Sequence, residues 1–157
     1  MIKKLFVCMM TCLSLISLSA CGSGSENIKV TTADDFAAIA RREGFEVDVF
    51  KPSEAFRGVH EASERAEAEK PGMEASFYVF TGDSDARELF ESFGGVTDDA
   101  NKKNGQYVIE GHSDFYCGDI RIVRDGPIVV FYDLFDDCPN RNIQKKDLEK
   151  LSKKTGY

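Results

Sequence analysis

The chain has 157 residues, of which 42% are hydrophobic and 30% are charged, and its formal net charge is −7 at pH 7. This length accommodates one domain, and the composition excludes wholesale disorder. The negative charge argues against nucleic acid as a partner, because phosphate binding requires a clustered basic surface.

Residues 1–20 have the pattern of a secretory signal. Lys3 and Lys4 precede an uncharged, largely apolar stretch over residues 5–18, and small residues follow it. This stretch is shorter than the roughly 20 residues that a membrane span needs, so we interpret residues 1–20 as a signal peptide. A short membrane anchor or a buried helix is the alternative.

The residues at 18–21, Leu-Ser-Ala-Cys, resemble the lipobox of bacterial lipoproteins. The resemblance implies cleavage before Cys21 and lipidation of its sulfur, with palmitate-type acyl chains that hold the protein to the membrane. Residues 21–30 then form the lipidated start and a flexible Gly-Ser tether. The expected location is the extracytoplasmic face of the cell membrane.

Loss of residues 1–20 removes two lysines and no acid, which leaves 18 Lys and Arg against 27 Asp and Glu, a net charge of −9. This charge repels anionic lipid head groups and predicts that the domain stands off the membrane. We interpret it as a solvated surface rather than as an acidic ligand-binding face.

Cys117 and Cys138 are the cysteines left in the mature domain once Cys21 is lipidated. An even pair outside the cytoplasm predicts a disulfide, which would close a loop of about 20 residues and contribute roughly 3 kcal/mol. Two free thiols, with a redox or metal-binding role, are the alternative.

The mature domain opens with a predicted helix over residues 32–44, capped by Thr32, and an alternating strand over residues 45–50. Residues 61–70 are ambiguous, because their Glu, Ala, Arg and Lys content favours a helix while the positions of their alanines fit a strand. Residues 73–80 contain Phe-Tyr-Val-Phe and predict a buried strand.

Asp83 or Ser84 is the predicted N-cap of a second helix, and the glycines at 94–95 end it. Residues 96–105 are polar and predict an exposed loop, and residues 107–109 predict a short strand. Further along, two β-rich runs flank an Asp-Gly turn, which is a strong hairpin signal.

With Val123 opposite Ile128, this hairpin pairs residues 115–123 with residues 128–135 and places Cys117 opposite Leu134. A short fold-back would then bring Cys138 to Cys117, which favours the disulfide. A last helix starts at Asn140 and carries an apolar stripe of Ile143, Leu148 and Leu151.

Because the strands are grouped and joined by short turns, we predict an antiparallel sheet, one face of which the three helices can cover. The expected fold is a single α+β domain over residues 31–157, an antiparallel sheet packed against about three helices.

The layout resembles a group of small lipoproteins from Gram-positive bacteria. The shared features are Asp-Asp-Phe at 34–36, Phe-Tyr-Val-Phe at 77–80, Asp-Ala at 85–86 followed by Phe90, the late hairpin, and Gly-Tyr at 156–157. The group carries no activity that transfers to this chain. The resemblance implies that residues 61–69 form a strand paired with residues 73–80, and its pattern does not include the two cysteines.

Motifs for catalysis are absent from the sequence. His60 and His112 lack a second histidine at zinc-binding spacing. His112, Ser113 and Asp114 are consecutive, and nucleophile–base pairs usually come from separate segments, so we interpret them as polar loop residues. We expect no enzyme activity and no cofactor.

Four aspartates, Asp119, Asp133, Asp136 and Asp137, are candidate oxygen ligands for a calcium-type ion. The Asp-x-Asp-x-Asp-Gly spacing is absent, and a solvated acidic loop is the simpler interpretation.

Aromatic residues point to both faces of the predicted sheet, which favours helices on both sides over an exposed patch. If a patch is exposed, Tyr78, Tyr116 and Tyr132 are its candidate binding residues. The sequence therefore predicts a non-catalytic binding or structural module, anchored through Cys21, with another envelope protein as partner. A lipoprotein that binds a small ligand or metal ion is the alternative.

Overall fold

The computed structural model describes residues 29–50, 62–95 and 102–157. The predicted signal peptide, Cys21 and residues 96–101 of the predicted loop lie outside these ranges. The elements in chain order are α1 (Ala33–Arg42), β1 (Glu46–Phe50), β2 (Ala62–Lys70), β3 (Met73–Phe80), α2 (Asp83–Ser92), β4 (Lys102–Lys103), β5 (Gln106–Ser113), β6 (Gly118–Asp125), β7 (Ile128–Phe135) and α3 (Arg141–Thr155).

The seven strands form one sheet in the order β1-β2-β3-β7-β6-β5-β4, and every neighbouring pair is antiparallel. Two meanders, β1–β2–β3 and β4–β5–β6–β7, meet where β3 pairs with β7. The predicted α+β fold, an antiparallel sheet with three helices, is confirmed.

The helices lie on both faces of the sheet. On the face that α1 and α3 cover, Phe36, Phe77 and Leu151 are fully buried. On the face that α2 covers, Phe90 and Phe131 belong to a second core. The prediction that helices cover both faces of the sheet is confirmed. The prediction that three helices cover one face is wrong, because β3 and β7 carry apolar side chains on both of their faces. We name these the α1/α3 face and the α2 face.

Helix α1 forms as its sequence predicts. Thr32 is the N-cap, and its Oγ1 accepts a hydrogen bond of 3.1 Å from the backbone N–H of Asp35. Phe36 stacks on Phe77 of β3 with ring centroids 5.0 Å apart. The cap stabilises the start of the helix, and the stacked rings attach the helix to the centre of the sheet.

Residues 62–70 form strand β2 rather than a helix. The strand pairs with β1 along one edge and with β3 along the other, and Ala66 and Ala68 are fully buried on the α1/α3 face. Hydrogen bonding on both edges overrides the helix preference of the Glu, Ala and Lys content. The pairing of β2 with β3 that the resemblance implies is confirmed.

The predicted late hairpin is formed by β6 and β7, but its predicted register, Val123 opposite Ile128, is wrong by two residues. Val123 pairs with Val130, because the strands continue to a two-residue loop that begins with Gly126 at a φ of 55°. Residues 114–117, predicted partly as strand, form a turn.

A further hairpin, β4–β5, pairs residues 102–103 with residues 106–107. Asn104 and Gly105 between them have φ angles of 53° and 83°, the left-handed conformation that a two-residue Asn-Gly turn requires. The prediction of an exposed loop is therefore wrong at this point, and the short strand predicted at 107–109 is part of the longer β5.

Helix α3 starts after Asn140 and ends at Gly156, whose φ of 83° provides the left-handed C-cap. Leu148 and Leu151 are buried as predicted, whereas Ile143 is 63% exposed and lies outside the core.

Candidate functional site

A cleft of about 830 Å³ lies between α3 and the α1/α3 face of β5 and β6. The strands contribute polar side chains from one side, the helix contributes charged side chains from the other, and aromatic and leucine side chains form the floor. The lining includes Gln106, Glu110, His112, Asp119, Arg121, Tyr132, Leu134, Lys145, Leu148, Glu149, Ser152, Lys153 and Tyr157.

The floor of the cleft is neutral at physiological pH. Tyr132 is 2% exposed and shares a hydrogen bond of 3.1 Å with the hydroxyl of Thr155, and burial raises the pKa of Tyr132 to about 12. The Tyr157 hydroxyl donates to the backbone oxygen of Val30 at 2.7 Å, and burial raises its pKa as well. The two phenols therefore act as rigid, uncharged surfaces.

Charged side chains form the rim. Arg121 of β6 makes an ion pair with Glu110 of β5 across the strands. Lys145, Glu149 and Lys153 follow one another at four-residue spacing on α3 and therefore line one face of the helix. A neutral floor under a rim of both charge signs suits a ligand with an apolar body and polar ends.

A polar cluster closes one end of the cleft. Arg141 of α3 lies 2.7 Å from an Asp119 oxygen and 3.2 Å from an Asp136 oxygen. His112 Nδ1 lies 3.5 Å from Asp119, and its Nε2 lies 3.7 Å from Asp136. The Arg141 hydrogen bond lowers the pKa of Asp119, so this carboxylate stays charged and holds the start of α3 to β6.

The four predicted metal ligands do not form one site. Asp119 and Asp136 converge on Arg141, which is a cation and takes the place that a metal ion would occupy. Asp133 pairs with Ile120 rather than with Asp119, and so lies on the opposite face of the sheet. Within the described ranges, no group of three or more His, Cys, Asp or Glu side chains is arranged to hold a metal ion.

The three candidate tyrosines are split between the two faces. Tyr132 is buried in the α1/α3 core, so it does not belong to an exposed sheet surface as predicted, although it forms part of the cleft floor. Tyr78 and Tyr116 are half-buried on the α2 face, where the Tyr116 ring lies 5.1 Å from that of Phe131. Successive residues of β7 project to opposite faces of the sheet. Tyr132 therefore lies on the α1/α3 face, while its neighbour Phe131 lies on the α2 face with Tyr78 and Tyr116.

The predicted disulfide is absent, because Cys117 and Cys138 are both free thiols. Cys117 is exposed in the 114–117 turn with a φ of 52°, whereas Cys138 is buried in the α1/α3 core beside Gly72. The Asp136 N–H donates to the Cys117 backbone oxygen at 2.8 Å, so the two segments are close, but the Cys117 thiol donates to the Asp114 oxygen at 3.4 Å in its own turn while the Cys138 thiol is buried.

His112, Ser113 and Asp114 do not form a catalytic triad. Alternation on β5 places His112 on the α1/α3 face and Ser113 on the α2 face, and the Ser113 hydroxyl accepts a hydrogen bond from the Tyr116 N–H. His112 and Ser113 lie in strand β5 rather than in the loop that the sequence predicts.

Sequence reasoning missed the cleft. The alternation of Gln106, Glu110 and His112, together with the four-residue spacing of the helix charges, marks both of its walls. Nothing in the sequence shows that these walls face each other, since that depends on where α3 packs.

Comparison with family models, curated proteins and solved structures finds no match to this chain. Among the described residues, no helix has the length and apolar character needed to cross a membrane.

Proposed function

We propose that the protein is a lipid-anchored, extracytoplasmic binding module without catalytic activity. The lipobox at residues 18–21 supports anchoring through Cys21. The cleft between α3 and the sheet is the observation that carries the binding role, because its volume of about 830 Å³ lies in the range of small-molecule sites. This geometry favours a small ligand over a flat protein interface.

The attachment of the first described residues supports an orientation on the membrane. The Val30 N–H donates to the Thr155 oxygen at 3.0 Å, and Lys29 makes an ion pair with Asp125. A chain anchored at Cys21 therefore enters the domain beside the C-terminal end of α3 and the β6–β7 loop. The 114–117 turn lies at the opposite end of β6 from this point of entry.

The metal-binding alternative receives no support, since the candidate aspartates lie on opposite faces of the sheet. The small-ligand alternative fits the cleft. The neutral floor of the cleft provides a surface for an apolar body, and the charged rim provides polar contacts. The proposal of no catalytic activity is supported by Ser113, whose hydroxyl lies on the other face of the sheet, away from His112.

The test is native mass spectrometry of the full chain purified from its own membranes in detergent. We expect an additional bound mass, and we expect Glu149→Trp to remove it because the large side chain narrows the cleft from the exposed side of α3. Glu88→Trp on α2 is the matched control and should retain the bound mass.

Cys21→Ser in the same experiment should move the protein from the membrane fraction to the soluble fraction. A chain that repeatedly carries no bound molecule contradicts the cleft as a ligand site. A Cys21→Ser protein that stays with the membrane contradicts lipid anchoring.

A further inference from the structure

The turn at residues 114–117 presents an aromatic side chain to solvent. Of the large hydrophobic side chains in the described ranges, Phe115 is the most exposed, at 85%. The neighbouring Tyr116 ring is half-buried on the α2 face, and the Phe115 ring lies 4.9 Å from it in an edge-to-face contact. Phe115 therefore projects outside the core, while its neighbour in the chain is anchored in it.

Hydrogen bonds hold this turn in place. The Tyr116 N–H donates to the Ser113 hydroxyl, and the Cys117 thiol donates to the Asp114 oxygen, both at 3.4 Å. The Asp136 N–H donates to the Cys117 oxygen at 2.8 Å, which attaches the turn to the end of β7. Cys117 has a φ of 52°, which is uncommon for residues other than glycine. An exposed aromatic side chain on a fixed support loses little conformational entropy on binding, as in the anchor residues of protein interfaces.

A carboxylate accompanies the exposed ring. Asp114 precedes Phe115 in the chain, and its side chain is fully exposed, with His112 Nε2 at 3.5 Å. The turn therefore offers an apolar ring and a charged group side by side. This combination, an apolar body with a polar end, is the chemistry that the cleft between α3 and the sheet suits.

The cleft has a surface that complements the turn. Its floor is neutral, and its volume of about 830 Å³ accepts more than one side chain. On the helix side, Lys145 and Lys153 are exposed, and neither makes an ion pair within the described ranges. On the strand side, the carboxylates of Glu110 and Asp119 are paired with arginines. With Glu149 between the two lysines, the unpaired charge of the rim is positive and opposite to that of the turn.

The turn does not line the cleft of its own chain, although the two lie close together. His112 belongs to the closed end of the cleft, and the turn begins two residues later. A two-fold axis across this end of the cleft places the turn of each chain over the cleft of the other. Both contacts then form together, and the assembly closes as a dimer rather than growing as a filament.

We propose that the cleft of one chain binds the 114–117 turn of a second copy, and that two chains exchange these contacts in a symmetric dimer. The Phe115 ring lies on the neutral floor, and the Asp114 carboxylate faces the lysines of α3. Because the turn protrudes, this contact is not a flat protein interface. The proposal rests on the binding role proposed for the cleft, and it names a second copy as an occupant that excludes a small ligand.

The test is native mass spectrometry of the full chain in detergent, after extensive dialysis, over a range of protein concentrations. We expect a dimer of the natural chain. Phe115→Ser removes the ring and Glu149→Trp narrows the cleft, so each variant loses both contacts of its own dimer. Its dimer Kd should rise about a hundredfold, at about tenfold per contact. Ile143→Ser, which changes the other highly exposed apolar side chain, is the matched control and should change the Kd by less than about twofold.

Mixing the two variants tests the exchange of turns directly. A mixed pair contains one intact turn, from the Glu149→Trp chain, and one intact cleft, from the Phe115→Ser chain. We expect mixed dimers, identified by their mass, to be about tenfold tighter than the dimers of either variant alone. Asp114→Lys in the natural chain should weaken the dimer at least about tenfold, because it brings a further amine to the lysines of the cleft.

Four results overturn the proposal. An equal effect of Ile143→Ser and Phe115→Ser assigns the dimer to another surface. Mixed dimers that are no tighter than those of the single variants contradict the exchange of turns. A dimer with a small molecule bound to both chains shows that the turn does not occupy the cleft. Chains that stay monomeric at about 100 μM contradict the dimer. If those monomers retain a bound small molecule, the function proposed for the cleft stands, and if they carry none, it fails as well.

Discussion

At the residue scale, Asp133 links folding to pH. Its pKa is about 6 in the folded protein, because the side chain is buried and faces Glu74, against about 3.9 in an unfolded chain. Between these values the folded state holds a proton that the unfolded state has lost. The contribution of Asp133 to the free energy of unfolding therefore falls as pH rises from about 4 to about 6, and stays low above that range.

Asp133→Asn should raise the free energy of unfolding by about 1–3 kcal/mol at pH 7 relative to the natural chain, since a neutral amide replaces a buried charge. The difference should shrink towards pH 4, where Asp133 is protonated. Urea unfolding of both proteins at pH 4.5 and pH 7.5 measures it. Asp137→Asn, which changes an exposed carboxylate, should leave stability unchanged, and a pH-independent effect of Asp133→Asn contradicts the assigned cause.

At the element scale, an ion pair between β6 and the first turn of α2 adds to the apolar packing of that helix on the sheet. Arg124 of β6 has a side chain only 4% exposed, and its guanidinium lies 2.5 Å from an oxygen of Asp83 in the first turn of α2. The same guanidinium lies 5.1 Å from the centre of the Tyr107 ring. The pair fixes the start of the helix over the α2 core.

Asp83→Ala should lower the free energy of unfolding by about 1–3 kcal/mol, because Arg124 remains buried without its carboxylate. Combining Asp83→Ala with Arg124→Met should recover part of this loss, since the buried charge is then absent. Thermal unfolding of the natural chain, the two single variants and the double variant gives a double-mutant cycle, which measures the coupling energy between Asp83 and Arg124. Strictly additive losses show that the two side chains are not coupled.

Elements with local signals were predictable from sequence. Thr32 caps α1 because its hydroxyl satisfies a free N–H of the first turn, and Gly156 ends α3 because it adopts a positive φ. Strand β2 was not predictable from its composition, since both of its partners, β1 and β3, must be in place to override a helix preference. The Asn104-Gly105 dipeptide is typical of a two-residue hairpin turn, so the β4–β5 hairpin was predictable from sequence, and the interpretation of this segment as a polar loop missed it.

At the scale of the whole molecule, the two thiols report location and orientation. Cys117 is exposed in the 114–117 turn, at the end of β6 opposite the point where the chain enters the domain, and Cys138 is buried. A membrane-impermeant maleimide should therefore label the protein in intact cells through Cys117. Cys117→Ser should abolish labelling, and Cys138→Ser should leave it unchanged.

Two other labelling results discriminate further. Labelling that requires cell permeabilisation contradicts an extracytoplasmic location. Labelling that requires prior reduction indicates that the two cysteines are bridged in the cell, against the free thiols of the structure.

The arrangement of side chains across the sheet shows where sequence reasoning stops. Four acidic residues on the α2 face, Glu46, Glu69, Glu74 and Asp133, are far apart in the chain and carry no motif. They become neighbours through the strand pairing, and only the register of three strand pairs aligns them. The same holds for the cleft, whose walls come from two strands and a helix.

Local residue patterns were enough to predict the caps of α1 and α3, the apolar periodicity of the helices, the central strands, the late hairpin and hence the α+β class, because each depends on residues close together in the chain. The cap of α2 is an exception, since its N-cap is Gly82 rather than the predicted Asp83 or Ser84. The N-terminal pattern also carries the prediction of lipid anchoring. Tertiary packing set which face each helix covers, the strand identity of residues 62–70, the exposure of Cys117 and burial of Cys138, and the alignment of carboxylates across the sheet. These features depend on contacts between distant segments of the chain. They are set by the register of the strands and by the packing of α2 and α3 on the sheet.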